Sequence, residues 1–269
     1  MKAIVLTCDE YHPLVDHMIE TYQRIWPSNP FVFRIPYQNQ NYLNYLKIKY
    51  EDKIELIRTE KPIKATVNNL LKDIEDEEFI YWCIDDKYLI KANENKLNEV
   101  FNFVQDIIQY PEISGILFCR CRGLNMPKNL NYKDKIGKGK LIFINRKNYT
   151  QIWLHQFLRA KVLKQLFETF PDDPFVAKQM DDFIWTKQLP LDTKLYVSQK
   201  NLAIYGESTS RSKLTSNCVK SIKAYDLQRP KNFELCKDKI TMGRLPWQFF
   251  GIRIPNVIDI LSRLKNQFT

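Results

Sequence analysis

The chain has 269 residues, 44% of them hydrophobic and 13% aromatic, which excludes a disordered polypeptide and is enough to build a large core. It contains no stretch of about 18 apolar residues, so no membrane-spanning helix is expected. The formal charge of +10 is uneven, since Lys200 to Thr269 carries 13 Lys and Arg against 5 Asp and Glu, a net of +8; this tail is the part drawn to polyanions (a nucleotide diphosphate, an anionic membrane surface or nucleic acid), a lysine-rich solvated surface being the plain alternative.

In chain order, strands and helices alternate as in a βαβ array. Met1 to Asp9 has one positive charge and too short an apolar run for a signal peptide, so Lys2 to Leu6 is expected to be the first strand. A turn follows, then a helix from Leu14 to about Trp26, with Leu14, Met18, Tyr22 and Ile25 at helical spacing. His12 and His17 flank its start and are given no role. Pro27-Ser28-Asn29-Pro30 stops the helix, and Phe31 to Ile35 and Ile54 to Ile57 are predicted strands. Residues 62 to 74 form a predicted helix with Pro62 near its first turn, a favourable place for proline. The run Phe79-Ile80-Tyr81-Trp82-Cys83-Ile84 reads as a strand buried on both faces.

After it comes a long helix from about Glu94 to Gln109, with Leu97, Val100, Phe101, Val104, Ile107 and Ile108 as its apolar stripe. Ile113 to Cys119 and Leu141 to Asn145 are predicted strands, and the Asn-, Lys- and Gly-rich segment between them is expected to be a surface excursion. Pro255 to Phe268 reads as an amphipathic helix with Val257, Ile260, Leu261, Leu264 and Phe268 on one face. It either closes its own domain or docks on an anionic bilayer, and Trp247-Gln248-Phe249-Phe250 adds aromatic surface suited to both. The six cysteines (8, 83, 119, 121, 218, 236) form no spaced framework, and Cys119-Arg120-Cys121 is too tight for a zinc knuckle. All six are expected to be reduced thiols of a cytoplasmic protein.

Asp85-Asp86 closes the doubly buried strand. Burying an ionised carboxylate unpaired costs several kcal/mol (order of magnitude), so the pair is expected in the crevice outside the carboxyl ends of the strands. Hard oxygen ligands there suit Mn²⁺ or Mg²⁺ carrying a phosphorylated substrate; a solvated turn is the bland reading. A second pair, Asp181-Asp182, follows the helix-start signal Asp172-Asp173-Pro174. There Val176, Met180, Phe183 and Ile184 can face a core while the acids point elsewhere, as a general base or as a solvated face. Gly206 to Lys213 is small, polar and basic, and either a plain loop or a lid whose Arg211 and Lys213 close on a diphosphate.

The order of these elements resembles the GT-A glycosyltransferases, in particular bacterial family-2-like enzymes. The matching residues are Tyr81-Trp82-Cys83-Ile84-Asp85-Asp86-Lys87-Tyr88-Leu89, Lys61 to Leu70, Met180-Asp181-Asp182 and Trp153 to Arg159. The resemblance implies an α/β fold: a single GT-A-like, Rossmann-like nucleotide-binding domain, its mostly parallel central sheet flanked by helices, with a basic C-terminal extension. The glycosyltransferase domain is placed at 1–215 (donor half about 1–120, acceptor half about 121–215) and the extension, packed on the same domain, at 216–269.

It further implies a nucleotide-sugar donor (a UDP-sugar) and a saccharide or lipid-linked saccharide acceptor; no nucleic-acid partner is expected, and peripheral contact with an anionic membrane is the alternative that the C-terminal amphipathic helix leaves open. Asp86, helped by Asp85, would hold the metal. Thr7 and Asp9 would line the nucleoside pocket, and Lys64 and Asn68 would reach the nucleotide. Asp182 or Asp181 would be the base of an inverting transfer, and His155 and Arg159 would contact the acceptor, a structural histidine being the plain alternative for His155. Lys87 stands where a third acid would, and no Asp follows the second strand. Two other classes also fit clustered acids or a basic tail. One is a metal-dependent nucleotidyltransferase or nuclease using Asp85-Asp86, the other a non-catalytic interaction protein.

Overall fold

The computed structural model describes residues 1–39, 43–119, 130–149, 151–172, 179–180, 183–184, 187–210, 212–235, 247–249 and 252–254. The chain forms two compact units, Met1–Tyr205 and Gly206–Thr269.

The first unit is built on a nine-stranded sheet. Its strands are β1 (Lys2–Leu6), β2 (Val32–Tyr37), β3 (Ile54–Arg58), β4 (Phe79–Ile84), β6 (Ile113–Leu117), β7 (Leu130–Lys138), β8 (Leu141–Arg146), β9 (Gln156–Arg159) and β10 (Lys194–Ser198). They lie in the order β3-β2-β1-β4-β9-β6-β10-β8-β7. All run in one direction except β9 and β8, which are antiparallel to their neighbours, so the sheet is mostly parallel as expected. A small second sheet pairs β5 (Lys87–Ala92) with β11 (Ala203–Glu207).

Helices cover both faces. α1 (His12–Ile25), α2 (Leu43–Tyr50) and α4 (Glu94–Asp106) bury their apolar stripes with Phe79, Tyr81 and Cys83 on one face of β4. α3 (Ile63–Leu71) and α5 (Ala160–Glu168) pack with Ile80 and Trp82 on the other. Alternate β4 side chains thus enter different cores, which is why the strand carries no charged residue before Asp85. Each large side chain so buried contributes about 1.5–3 kcal/mol. α1 begins two residues earlier than its apolar spacing predicts, with Pro13 in its first turn. Asn93 caps α4 by accepting from Lys96 N at 3.1 Å.

The expected surface excursion is corrected in part. Leu130–Lys138 is a nine-residue edge strand paired antiparallel with β8. Its lysines and a register shift between Asn131 and Lys135 mark a protected edge rather than a loop. Gly137, at φ 100°, meets the hairpin turn where a Cβ would lie 2.0 Å from Leu141 O, so only glycine fits. The strands over Gln156–Arg159 and Lys194–Ser198 and the helix over Ala160–Glu168 were not predicted. At Gly115 on β6, a Cβ would lie 2.6 Å from Leu158 Cδ2 and 2.7 Å from Leu195 Cδ2. Gly115→Val is therefore expected to lose about 1–3 kcal/mol by overpacking, read as a lower urea midpoint at unchanged m-value.

In the second unit, α6 (Ser216–Tyr225) is capped by Thr215, which accepts from Cys218 N at 3.1 Å, and ends on Asp226 in the left-handed region at φ 53°. β12 (Thr209–Ser210) and β13 (Lys213–Leu214) form a short hairpin, as do β14 (Trp247–Phe249) and β15 (Ile252–Ile254). Thr215→Ala should cost about 1 kcal/mol of helix stability, measurable as faster amide exchange in the first turn. The predicted helix over 255–268 lies outside the described residues. Among the described residues no helix is long and apolar enough to cross a membrane. Cys8, Cys83, Cys119 and Cys218 are in no disulfide, while Cys121 and Cys236 lie outside the described residues.

Candidate functional site

The sheet order fixes where a ligand crevice can open. From β1 the chain moves outward through β2 to β3, then returns to place β4 on the other side of β1. Connections therefore diverge above the carboxyl ends of β1 and β4, the topological switch point at which open α/β sheets bind ligands. Thr7, Cys8 and Asp9 leave β1 there, and Asp85 and Asp86 leave β4. Asp85 N–H still donates to Leu6 O at 3.2 Å, so the first acid is tied to the β1 end.

The two carboxylates differ sharply. Asp85 is 9% exposed, and burial, reinforced by the charge of Asp86, pushes its carboxyl up to about 7; a hydrogen bond from Thr7 works in the opposite direction. The Asp86 side chain is 31% exposed and pairs with Lys87 Nζ at 2.8 Å. Lys87 opens β5, and its ammonium stands beside the pair where the resemblance would put a further acid. Among the described residues no three His, Cys, Asp or Glu side chains converge as a metal cage. The donor set nevertheless fits Mg²⁺ or Mn²⁺, which are commonly held by one or two carboxylates with the remaining ligands coming from water and substrate phosphate. A buried carboxyl raised by a neighbouring acid is one whose ionised form lacks sufficient positive charge nearby.

The other expected donor-site residues are placed as follows. Thr7 is buried at the end of β1 beside Asp85. Asp9 accepts Gln38 N at 2.9 Å and Asn39 N at 2.7 Å, so it pins the chain leaving β2. Lys64, in the first turn of α3, donates to Phe170 O at 2.9 Å and to Asp172 Oδ1 at 2.6 Å, tying that helix to the chain beyond α5. Asn68 is exposed one turn further along α3. His12 and His17 are buried in α1: His12 Nε2 meets Pro36 O at 2.9 Å, and the His17 ring packs on Tyr88.

The expected acceptor contacts are corrected. His155 is fully buried, with Nε2 2.9 Å from Ile84 O and Nδ1 2.7 Å from the Tyr22 hydroxyl, so both nitrogens are engaged inside the protein. Arg159 is buried at the opposite end of the sheet. Because β9 runs antiparallel to β4, Gln156 pairs with Trp82 but Arg159 with Phe79, at the strand's start. Its guanidinium donates to the carbonyls of Ile113, Glu77, Ile108 and Tyr110.

Asp181, Asp182 and Arg211 lie outside the described residues. Their neighbours Met180 and Ile184 are buried in the core shared by α3 and α5, as the helical spacing anticipates. Lys213, in the second unit, pairs with Glu234 at 3.2 Å. Sequence reasoning missed the polar cluster of Tyr22, Tyr81, Tyr205 and His155 beneath the β4 end. Its members come from α1, β4, β11 and the turn before β9, and nothing local marks them.

No protein-family model and no curated protein matches the chain. Several solved structures are similar to it. S. aureus TarS is 16% identical with a TM-score of 0.47 over 83% of this chain, which spans only 38% of that longer protein. The galactosyltransferase LgtC, solved with donor and acceptor sugar analogs, is 10% identical with a TM-score of 0.45 over 95% of this chain and 85% of its own. The 4-diphosphocytidyl-2C-methyl-D-erythritol synthase from Anaerococcus prevotii is 11% identical with a TM-score of 0.43, over 84% and 93%.

Proposed function

We propose that this protein is a glycosyltransferase that moves a sugar from a nucleotide-diphosphate donor, a UDP-sugar, to a hydroxyl of a saccharide or lipid-linked saccharide. The observation that carries this reading is the placement of Asp85 and Asp86 together at the switch point between β1 and β4, one buried and raised, the other partly exposed and paired with Lys87. The resemblance in order of the acid pairs supports the same reaction class.

In this reading Thr7 and Asp9 line the nucleoside side of the crevice, and Lys64 and Asn68 approach it from α3. Asp86, with Asp85, would hold Mn²⁺ or Mg²⁺, which would supply positive charge against the departing nucleotide. Asp182, or Asp181, takes the proton from the acceptor hydroxyl. The oxygen then forms its bond to the anomeric carbon as the bond to the diphosphate oxygen breaks, inverting configuration. The 255–268 segment is the candidate for contact with an anionic membrane carrying the acceptor.

A thermal-shift panel of UDP, GDP, CMP and dTDP with and without Mn²⁺ tests the reading. A nucleotide at about 100 times its Kd adds about 2.7 kcal/mol of stability. The expected result is a rise with UDP, larger with Mn²⁺, that is abolished in Asp86→Ala. A flat response to all four nucleotides would sink the donor-site reading, and a shift that survives in Asp86→Ala would sink the role of the pair.

A further inference from the structure

Beneath the acid pair lies a buried polar chain that the proposed reaction does not use. The last cross-strand pair between β4 and β9 is Trp82 with Gln156, so Ile84 O lies beyond the ladder and needs another donor. His155 supplies it through Nε2 at 2.9 Å. A carbonyl only accepts, so Nε2 carries the proton and Nδ1 must accept from the Tyr22 hydroxyl, 2.7 Å away. The single hydrogen of Tyr22 is thereby used, and its oxygen accepts from Tyr81 at 2.8 Å or Tyr205 at 3.1 Å. Those two hydroxyls are 2.7 Å apart. Donation therefore runs one way, from the tyrosines through Tyr22 and His155 to Ile84 O. Burial holds the imidazole neutral, with its pKa at about 3, so this tautomer persists through the physiological range.

The peptide linking Ile84 to Asp85 is consequently held at both polar atoms. Its carbonyl accepts from His155 and its N–H donates to Leu6 O at 3.2 Å. Rotation of this peptide would swing the Asp85 carboxylate and, one residue on, that of Asp86. An apolar side chain in place of His155 would fill the same core with no control over the peptide. A buried network that is satisfied member by member and directed at this one carbonyl rigidifies it.

We propose that His155 is a positioning residue: its Nε2–H, oriented by Tyr22, locks the Ile84–Asp85 peptide and so sets the direction in which Asp85 and Asp86 face a cation and a diphosphate. This rests on the donor-site reading of the pair for its ligand, but not for its geometry.

The test compares His155→Gln, which keeps an N–H near the Nε2 position, His155→Leu, which packs without donating, and Tyr22→Phe, which removes only the hydroxyl that orients the ring. Two readouts are taken on the folded full chain: amide hydrogen exchange at Asp85, and Mn²⁺ binding in the presence of UDP followed by the EPR signal of free Mn²⁺. Groups that orient metal ligands typically contribute about 10–100-fold in affinity, so His155→Leu should exchange faster at Asp85 and bind Mn²⁺ more weakly by that range, while His155→Gln stays within about threefold of wild type. Tyr22→Phe should fall between them. Wild-type exchange at Asp85 in His155→Leu, or in Tyr22→Phe if the leucine variant does not fold, overturns the proposal. Failure of the wild-type protein to bind Mn²⁺ and UDP would instead remove the donor-site reading alone, because the exchange readout needs no ligand.

Discussion

Asp85→Asn is expected to make the ligand-free protein more stable at pH 7.5 and to remove its response to nucleotide. The folded carboxyl is pushed up to about 7 from an ordinary value near 3.8, first by burial and then by Asp86. Ionising it in the folded state is thus harder than in the unfolded chain. Below about pH 4 both states hold the proton and the site costs nothing. As pH rises through about 7 the stability of the protonated site is progressively lost, and above that the cost is constant. A shift of this size corresponds to at most about 4 kcal/mol, or on the order of 10 °C in melting temperature for a domain of this size.

Asparagine carries no charge, so the variant should gain over wild type at pH 7.5 and lose that gain near pH 4. Parallel melting curves at the two pH values decide it. An advantage of equal size at both would mean that packing, not ionisation, separates the two proteins. A metal ion and UDP should raise the melting temperature of wild type but not of the variant. That combination of a stability gain and a lost ligand response is expected where a binding site keeps a strained charge for use.

How much of this was legible in the sequence depends on how far each residue's environment is local. β4 was legible because Phe79 to Ile84 are apolar on both faces, and a strand of that kind has few other places to go. The acids that end it could be placed at a ligand crevice for the same reason. β9 was not legible: Gln156 and Arg159 are polar yet buried, and their partners come from other segments. His155 shows the difficulty best. Its segment matches an acceptor region, which suggests a contact residue, but its hydrogen-bond partner Tyr22 is 133 residues away in sequence. The raised carboxyl of Asp85 depends likewise on burial against the β1 end, which no spacing along the chain encodes. β7 was hidden for the opposite reason, since an edge strand that keeps lysines toward solvent has the composition of a loop.

Arg159→Leu is expected to be the most destabilising single change among the residues first assigned to the site, with no effect on the crevice. The guanidinium donates at 3.0 Å to Ile113 O, 2.6 Å to Glu77 O, 2.8 Å to Ile108 O and 3.1 Å to Tyr110 O. It also pairs with Glu77 at 3.3 Å and stacks 4.6 Å from the Phe79 ring centre. One side chain thus joins the turn before β4 to the turn before β6, at the end of the sheet away from Asp85. Leucine replaces the aliphatic stem but leaves these carbonyls short of a donor, for a loss of about 3–5 kcal/mol. Lysine keeps the charge but not the planar fork that serves several carbonyls at once, so Arg159→Lys should lose less than leucine and more than a surface change. Urea melts give the size of the loss. The thermal shift produced by UDP and Mn²⁺, measured from each variant's own baseline, should remain that of wild type. A variant that keeps its stability but loses ligand response would return Arg159 to the binding site, whereas the antiparallel register of β9 puts it in the scaffold.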